Sequence, residues 1–344
     1  MRQKPAYHRW RGLNLSRCFS HSLWVLVWVS LGLVVVWGET GMAQQRDFAA
    51  WLQELRAEAV ALGIRPQTLD TALAGLQPLA RVLELDRKQP EDTLTYAQYF
   101  ERTLPASRIQ KGLRLLNEHR ALLQEIGTKY GVPPGLIVAL WGIETDFGRT
   151  TGHFPVLASL ATLAYDGRRS ELFRRELLEA LKIVDAGQVR PEAMMGSWAG
   201  AMGQNQFMPS SFVQYAVDYN GDGRRDIWTT LADVFASTAN YLASSGWRER
   251  ETWGHRVLLP AGFDVAANSG QVSKSLTDWQ ALGVRRADGS AFSPGLESAS
   301  LVLPGGAMHP AFLVYQNYQV LLKWNRSNYF ALTVGQFADQ LGGK

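Results

Sequence analysis

The chain has 344 residues, 46% of them hydrophobic and 19% charged. That is enough apolar sequence for a sizeable core and excludes a disordered chain. The length fits one large domain or two to three small ones. The formal charge of +4 and the pI near 9.2 would suit a nucleic-acid partner, but much of that charge sits in residues 1–43. These have the make-up of an export signal. Arg2, Lys4, Arg9, Arg11 and Arg17 precede or lead into an apolar stretch of 15 residues at 23–37, in which Ser30 is the plainly polar member. A membrane span needs about 20 such residues. Small Gly41 and Ala43 then prepare a cleavage point after Ala43; an uncleaved membrane anchor is the alternative.

Removing that segment takes five of the 35 Lys and Arg and one of the 31 Asp and Glu, leaving 30 of each. A neutral mature chain gives no support to nucleic-acid binding. Cys18 leaves too. It precedes the apolar stretch, whereas a lipid-attachment cysteine would follow it. The mature protein is expected to have no disulfide and no zinc–cysteine site, and to sit in the periplasm or cell envelope.

In chain order, Asp47 can cap a helix whose apolar positions are Phe48, Trp51, Leu52, Leu55 and Ala59, stopped by Gly63. Pro66 opens a short helix over about 66–75. A polar stretch at 86–95 reads as a linker. A single helix is expected over about 107–130, ending at Gly131. After Pro133-Pro134 the residues 136–143 are apolar on every side, which describes a helix buried all round. Ser170 can cap a helix holding Phe173, Leu177 and Leu181. The 196–212 stretch is glycine-rich and irregular. Leu231, Val234, Phe235, Thr238, Tyr241 and Leu242 mark another helix. Beyond about 255, Gly, Pro and Ser become frequent, and 256–259 and 300–303 read as strands. A last helix covers about 328–341. The fold class is mainly α, or α+β. The expected segments are a signal at 1–43, a helical domain at 44–125, a second mainly helical core at 126–250 and a small strand-containing lobe at 251–344.

Glu144 ends the buried helix. A carboxyl beside apolar surroundings loses solvation when charged, so its pKa should rise, and a carboxyl kept protonated near neutrality can donate to a glycosidic oxygen. A helix-end glutamate pointing into water is the plain alternative. Asp146 is the nearest second acid, but at i+2 it should point elsewhere, into solvent.

Residues 218–226 read D-x-N-x-D-G-x-x-D, the first nine positions of an EF-hand-type loop. Asp218, Asn220, Asp222 and Asp226 would offer side-chain oxygens and Arg224 its carbonyl. Position 12 is Thr229 rather than a bidentate Glu. Asp233 is the next acid, either a ligand or, with Thr230, half of a capping box. The expected ion is structural calcium, with sodium as a substitute; no organic cofactor is expected. The small residues and glutamines of 196–212 suit close backbone approach to a ligand; a buried connection is the alternative.

Taken together, Tyr130-Gly-Val-Pro-Pro134, Ile143-Glu-Thr-Asp-Phe-Gly148, Ala161-Thr-Leu163 with Arg168-Arg169, Gly196 to Phe212, Asp218 to Trp228, Ala239-Asn-Tyr241 and Trp324-Asn325-Arg-Ser-Asn-Tyr329 resemble the lytic murein transglycosylase B family, in order and over most of the mature chain. The resemblance implies a lysozyme-like catalytic core acting on peptidoglycan strands. The bond would be the β-1,4 link from N-acetylmuramic acid to N-acetylglucosamine, cut by the sugar's own 6-hydroxyl to leave a 1,6-anhydro end. Glu144 would be the single acid/base. Ser197, Gln206, Tyr241 and Asn325 match cleft-lining residues, and Arg168 and Arg169 match a pair near the stem peptide; alternatively, those arginines are a solvated helix cap. Gln204-Asn205 departs from the family's usual residues, and Trp324 stands where a tyrosine is common. A monomer is expected. A hydrolytic muramidase and a non-catalytic, calcium-stabilised peptidoglycan-binding protein are the competing readings.

Overall fold

A computed structural model describes residues 47–88, 94–270, 272–292, 298–306 and 310–342. The export signal, its cleavage point and Cys18 lie outside the described residues.

The first half is helical: α1 (Phe48–Ala61), α2 (Pro66–Ala72), α3 (Ala80–Arg87), α4 (Tyr96–Thr103), α5 (Ala106–Glu118), α6 (Arg120–Tyr130) and α7 (Pro134–Thr145). A two-residue strand β1 (Phe154–Pro155) precedes α8 (Val156–Tyr165) and α9 (Ser170–Asp185). Next come β2 (Met195–Gly196), α10 (Pro209–Tyr215) and α11 (Leu231–Ser244). The small lobe holds β3 (Gly254–Leu258), α12 (Val265–Asn268), β4 (Ser273–Lys274), α13 (Leu276–Ala281), β5 (Arg285–Arg286), β6 (Ala299–Val302) and β7 (Ala311–Val314), and α14 (Gln316–Trp324) and α15 (Asn328–Gln340) end the described chain. None of the described helices is long and apolar enough to cross a membrane.

Asp47 caps α1 through Ala49 N, as its position suggests. The single helix expected over 107–130 is two. His119 ends α5 and starts α6 with φ −101° and ψ 19°. The break lets its ring pack against Trp141 and Phe235, at 6.2 and 5.8 Å between centroids; no Gly or Pro marks the place. Ser170 is not a cap either. Arg169, at φ 73°, takes the N-cap position of α9, without a side-chain capping bond. The linker expected at 86–95 begins inside α3, whose Asp86 is buried.

α7 is buried from Gly135 through Gly142, because it has no polar face to offer water. α15 lies against it; Phe337 and Ala338 of α15 share one core with Leu136, Leu140 and Trp141 of α7 and with Phe235 and Ala239 of α11. A second core joins α1 and α2 to α8 and α9. The strands form an antiparallel sheet in the order β4-β6-β7-β3-β5. β7 is buried at all four positions. Phe312 and Val314 face the core of α7, while Ala311 and Leu313 face a small core around Trp279. An unbroken apolar run is what a strand covered on both faces requires, and it ties the strand-containing lobe to the helical body.

Candidate active site

Pro134 sits in the first turn of α7, where its missing N–H costs nothing. At the other end the helix stops abruptly. Asp146 N donates to Gly142 O and Phe147 N to Trp141 O, both at 3.1 Å. Asp146, Phe147 and Gly148 then have φ of 49°, 60° and 79° in succession. Two of the three carry side chains in a region that disfavours them, a strain that surrounding contacts must hold. Phe147 packs edge-on to Trp141, with ring centroids 5.4 Å apart. The Asp146 carboxylate lies 2.5 Å from Arg149, 3.6 Å from Lys111 and 3.8 Å from Arg108. Lys111 also donates to the Asp146 carbonyl at 3.0 Å. Burial works against the Asp146 anion, but the Arg149 hydrogen bond and the neighbouring cations outweigh it and hold the carboxyl below its ordinary value. The solvated residue expected at 146 is therefore an ion-paired helix terminator.

Glu144 projects from the last turn of α7. Among the described residues, its carboxylate receives one hydrogen bond, from Trp324 Nε1 to Oε1 at 2.7 Å. Burial pushes its pKa up to about 7, and the indole N–H pulls in the opposite direction by favouring the anion. These are the rise and its cause expected from the apolar helix. The partner, 180 positions away, was recognised in sequence only as a departure from a common tyrosine.

Trp324 closes α14 and is wedged among aromatics. Its ring lies 4.7 Å from Tyr241 and 5.4 Å from Phe207, and Tyr241 lies 4.5 Å from Tyr215. Tyr241 Oη donates to Lys323 O at 2.8 Å, fixing α11 to the end of α14. Burial raises the Tyr241 hydroxyl to about 12, so it stays neutral. Asn325 follows as the exposed C-cap of α14 and accepts from Ser327 N at 3.0 Å.

The 196–207 segment folds onto the exit of α7. Isolated bridges pair Gly196 with Met202 and Met202 with Phe207, which makes a narrow double-backed ribbon. The ribbon comes so close that Gly152, at φ +93°, could carry no Cβ: it would lie 2.1 Å from Gly196 O. Likewise a Cβ on Gly148 would meet Gln204 Oε1 at 2.2 Å. Gln204 and Asn205 are buried. Gln204 accepts from Trp141 Nε1 at 2.7 Å and donates to Trp228 O at 2.8 Å, and its carbonyl takes the Thr145 hydroxyl at 3.0 Å. Asn205 donates to Val234 O and Thr238 Oγ1, both at 2.7 Å. These amides stitch the ribbon to α7 and α11, which for Gln204 and Asn205 is the buried connection that stood as the alternative to ligand contact. Ser197 Oγ accepts from Ala201 N at 3.0 Å. Gln206, at φ 52°, donates to Thr151 O and Gly203 O at 3.0 and 2.9 Å.

The fold thus brings Glu144, Trp324 and Tyr241 together beside Phe207 of the ribbon that carries Ser197 and Gln206, with Asn325 next after the indole in the chain. Arg168 and Arg169 form a different cluster. Arg168 grips Asp86 at 3.0 and 2.5 Å, and Arg169 pairs with the other Asp86 oxygen. The guanidinium side chains are about half exposed, while that of Asp86 is 1% exposed. They are not a simple solvated cap, and their partner is the acid that sequence reasoning had placed in a linker.

The 218–226 loop is built around its own carboxylates. Asp218 accepts from the N–H groups of Gly221, Asp222 and Gly223 at 2.7, 3.1 and 2.8 Å. Asn220 and Asp222 share a 3.0 Å hydrogen bond, and Asp222 accepts from Arg224 N at 2.9 Å. Asp226 instead turns to Trp228 N and Thr229 N, both at 2.9 Å, and to the hydroxyls of Thr229 and Thr230. Burial opposes its charge, but those donors outweigh it and lower its pKa. Asp233 is buried and accepts from Tyr219 N and Asp226 N, both at 2.8 Å, which closes the base of the loop. Burial dominates there and raises its pKa. Thr230 makes no side-chain cap bond, so the capping box does not form. Among the described residues no three His, Cys, Asp or Glu side chains make a ligand set by themselves. A cation here would rely on Asp218, Asn220, Asp222 and the Arg224 carbonyl, whose hard oxygens suit calcium.

The family described as "Transglycosylase SLT domain" matches residues 47–339. The membrane-bound lytic murein transglycosylase B of Escherichia coli K12 is 31% identical over 293 residues, covering 80% of this chain and 78% of the relative. SltB3 of Pseudomonas aeruginosa, solved with NAG-anhNAM-pentapeptide and with NAG-NAM-pentapeptide, superimposes with a TM-score of 0.83 at 46% identity, over 87% of this chain and 80% of that one. The Escherichia coli lytic transglycosylase Slt35, solved in complex with calcium, gives 0.73 at 30%, over 85% and 92%. The mainly helical architecture with its small antiparallel sheet is the lysozyme-like fold of these enzymes, and the chain belongs to the transglycosylase SLT domain family, whose members are peptidoglycan-cleaving lytic transglycosylases.

Proposed function

We propose that this chain cleaves the β-1,4 bond between N-acetylmuramic acid and N-acetylglucosamine, with Glu144 as its single acid/base, and releases 1,6-anhydromuramic ends. The observation that carries the reading is the Glu144 carboxyl, desolvated at the end of a buried helix and held by one neutral donor. A carboxyl whose pKa is near 7 can serve as acid and then as base at neutral pH. In the first role Glu144 gives its proton to the glycosidic oxygen, which leaves with the bond's electron pair. In the second, the carboxylate takes the proton of the muramic 6-hydroxyl as that oxygen bonds to the anomeric carbon. Atoms balance without water, and the nucleophile is already tethered to the carbon it attacks. SltB3's complex with an anhydro-muropeptide supports this product. The cations around Asp146 hold that residue charged and away from acid duty.

Ser197, Gln206, Tyr241 and Asn325 line the glycan path in this reading, and Arg168 and Arg169 meet the stem peptide. Asp218, Asn220, Asp222 and Arg224 hold a structural calcium, as the Slt35 calcium complex suggests; Asp226 and Asp233 shape the loop rather than ligate. The catalytic core spans 126–250, between a helical domain at 44–125 and the lobe at 251–344, and cleavage after Ala43 delivers a monomer to the periplasm. Mass spectrometry of a murein digest tests the reaction. Anhydro ends are expected; reducing ends would indicate a hydrolase, and intact murein a binding protein.

A further inference from the structure

The Glu144 carboxyl has two oxygens, and the fold treats them differently. Oε1 faces the indole N–H of Trp324 at 2.7 Å. An indole nitrogen donates and never accepts. A carbonyl-type oxygen is a better acceptor than the hydroxyl oxygen of a protonated carboxyl, so a fixed donor at Oε1 favours the acid form with its proton on Oε2. We propose that Trp324 is a positioning residue that keeps the transferable proton of Glu144 on Oε2 and stabilises the carboxylate left after transfer. This rests on the reading of Glu144 as acid/base.

The donor is itself held in place. Tyr241 and Phe207 flank the indole ring. Tyr241 Oη ties the backbone of Lys323, one residue before the indole, to α11. Lys323 Nζ donates to Ser245 O at 2.7 Å, so the backbone carbonyl and the side chain of Lys323 both fasten α14 to α11. A tyrosine in the place of Trp324 could donate or accept through its hydroxyl. It would permit either oxygen of Glu144 to carry the proton, whereas the indole permits one arrangement. After proton transfer the same N–H serves an anion, and hydrogen bonds to charged groups are the stronger kind. The donor therefore favours the product side of the first proton transfer.

Ionisable groups on the surrounding elements are engaged elsewhere: Asp233 of α11 accepts from Tyr219 N and Asp226 N, and His119 packs its ring on Trp141 and Phe235. On α7's exit Asp146 is neutralised by Arg108, Lys111 and Arg149. On α14, Lys323 is engaged with Ser245. On α10 and α11, Tyr215 and Tyr241 form the aromatic wall. Burial and the Trp324 hydrogen bond are the two influences acting on the Glu144 carboxyl.

Trp324→Phe keeps an aromatic ring and deletes the donor. Without it the anion is less favoured, the acid form persists to higher pH, and the alkaline limb of the rate profile should move up by about one pH unit. kcat should fall about 10- to 100-fold, with KM changed less than about twofold. A fall confined to KM, or a profile superimposable on the wild type's, would overturn the role. A second readout leaves Trp324 itself unchanged. The Trp324 indole 15N–1H resonance should titrate with a midpoint near 7, and that step should vanish in Glu144→Gln; a resonance flat from pH 5 to 9 contradicts the proposal. Glu144→Gln also separates this idea from the one beneath it. If that variant is active, the acid/base reading fails; if it is inactive while Trp324→Phe behaves as wild type, only the positioning role fails.

Discussion

Two acidic segments of this chain handle charge in opposite ways. At the end of α7, one carboxyl sits in apolar surroundings with a single neutral donor, and its proton is held up to about pH 7. In the 218–226 loop, carboxylates stand among backbone N–H groups; Asp218 alone accepts three. Donor number and solvent, not residue type, separate a carboxyl pushed up by burial from carboxylates dressed in N–H donors. The loop is a local object, written in nine consecutive residues. The α7 site is a non-local one, assembled from α7, α11, the ribbon and the end of α14.

The largest effect should come from removing the carboxyl proposed as the acid/base. Glu144→Gln retains an acceptor for Trp324 but no transferable proton, and turnover should fall by about 10⁴-fold, the upper end for general acid–base catalysis, in an assay of anhydromuropeptide release. The same variant should be more stable than the wild type at alkaline pH. The Glu144 pKa is raised from 4.5 to about 7 on folding, so the unfolded chain loses this proton first as pH rises. The folded state is therefore penalised progressively between about 4.5 and 7 and fully above 7, by at most about 3 kcal/mol; water reaching this partly exposed residue lowers that ceiling. Urea melts of both proteins should differ at pH 8 and coincide at pH 4. Equal stability at both would mean the carboxyl is not desolvated.

How much of this contrast is legible in sequence follows from the same distinction. The D-x-N-x-D-G pattern locates the loop, and the run from Leu136 to Ile143 announces a helix without a polar face, so Glu144 stands out. Trp324 does not, because its donor reaches Glu144 only after α14 docks on α11 through Tyr241 and Lys323. Asp86 is similar: a carboxylate in a polar stretch gives no sign that Arg168 and Arg169 will close over it. The break at His119 is also tertiary in origin, since its helical neighbours have ordinary propensities and the ring's place lies between Trp141 and Phe235. Asp233 carries a local capping signal, Thr230-x-x-Asp233, that loses to the backbone N–H groups of Tyr219 and Asp226.

The loop predicts a smaller and purely thermodynamic response. Calcium should raise the melting temperature of the wild type by mass action, by an amount equivalent to about 2.7 kcal/mol at a hundred times Kd. Asp222→Ala should abolish the response while leaving turnover of the folded enzyme in place. An equal shift in both proteins would put the ion elsewhere. The smallest effect is expected at Asp146→Asn. Asparagine tolerates the left-handed conformation that this position requires, and the lost ion pairs are partly solvated. Stability should drop by less than about 1 kcal/mol, and most activity should persist; a loss matching that of Glu144→Gln would make Asp146 a second catalytic carboxylate.

The central claim is that one desolvated carboxyl, held by one indole, titrates where a single group can serve as both acid and base. The most direct measurement is the 13C side-chain carboxyl resonance of Glu144 followed through a pH titration of the folded, wild-type protein. A midpoint near 7 is the expected result; a midpoint near 4.5, the ordinary value for a solvated glutamate, would contradict it.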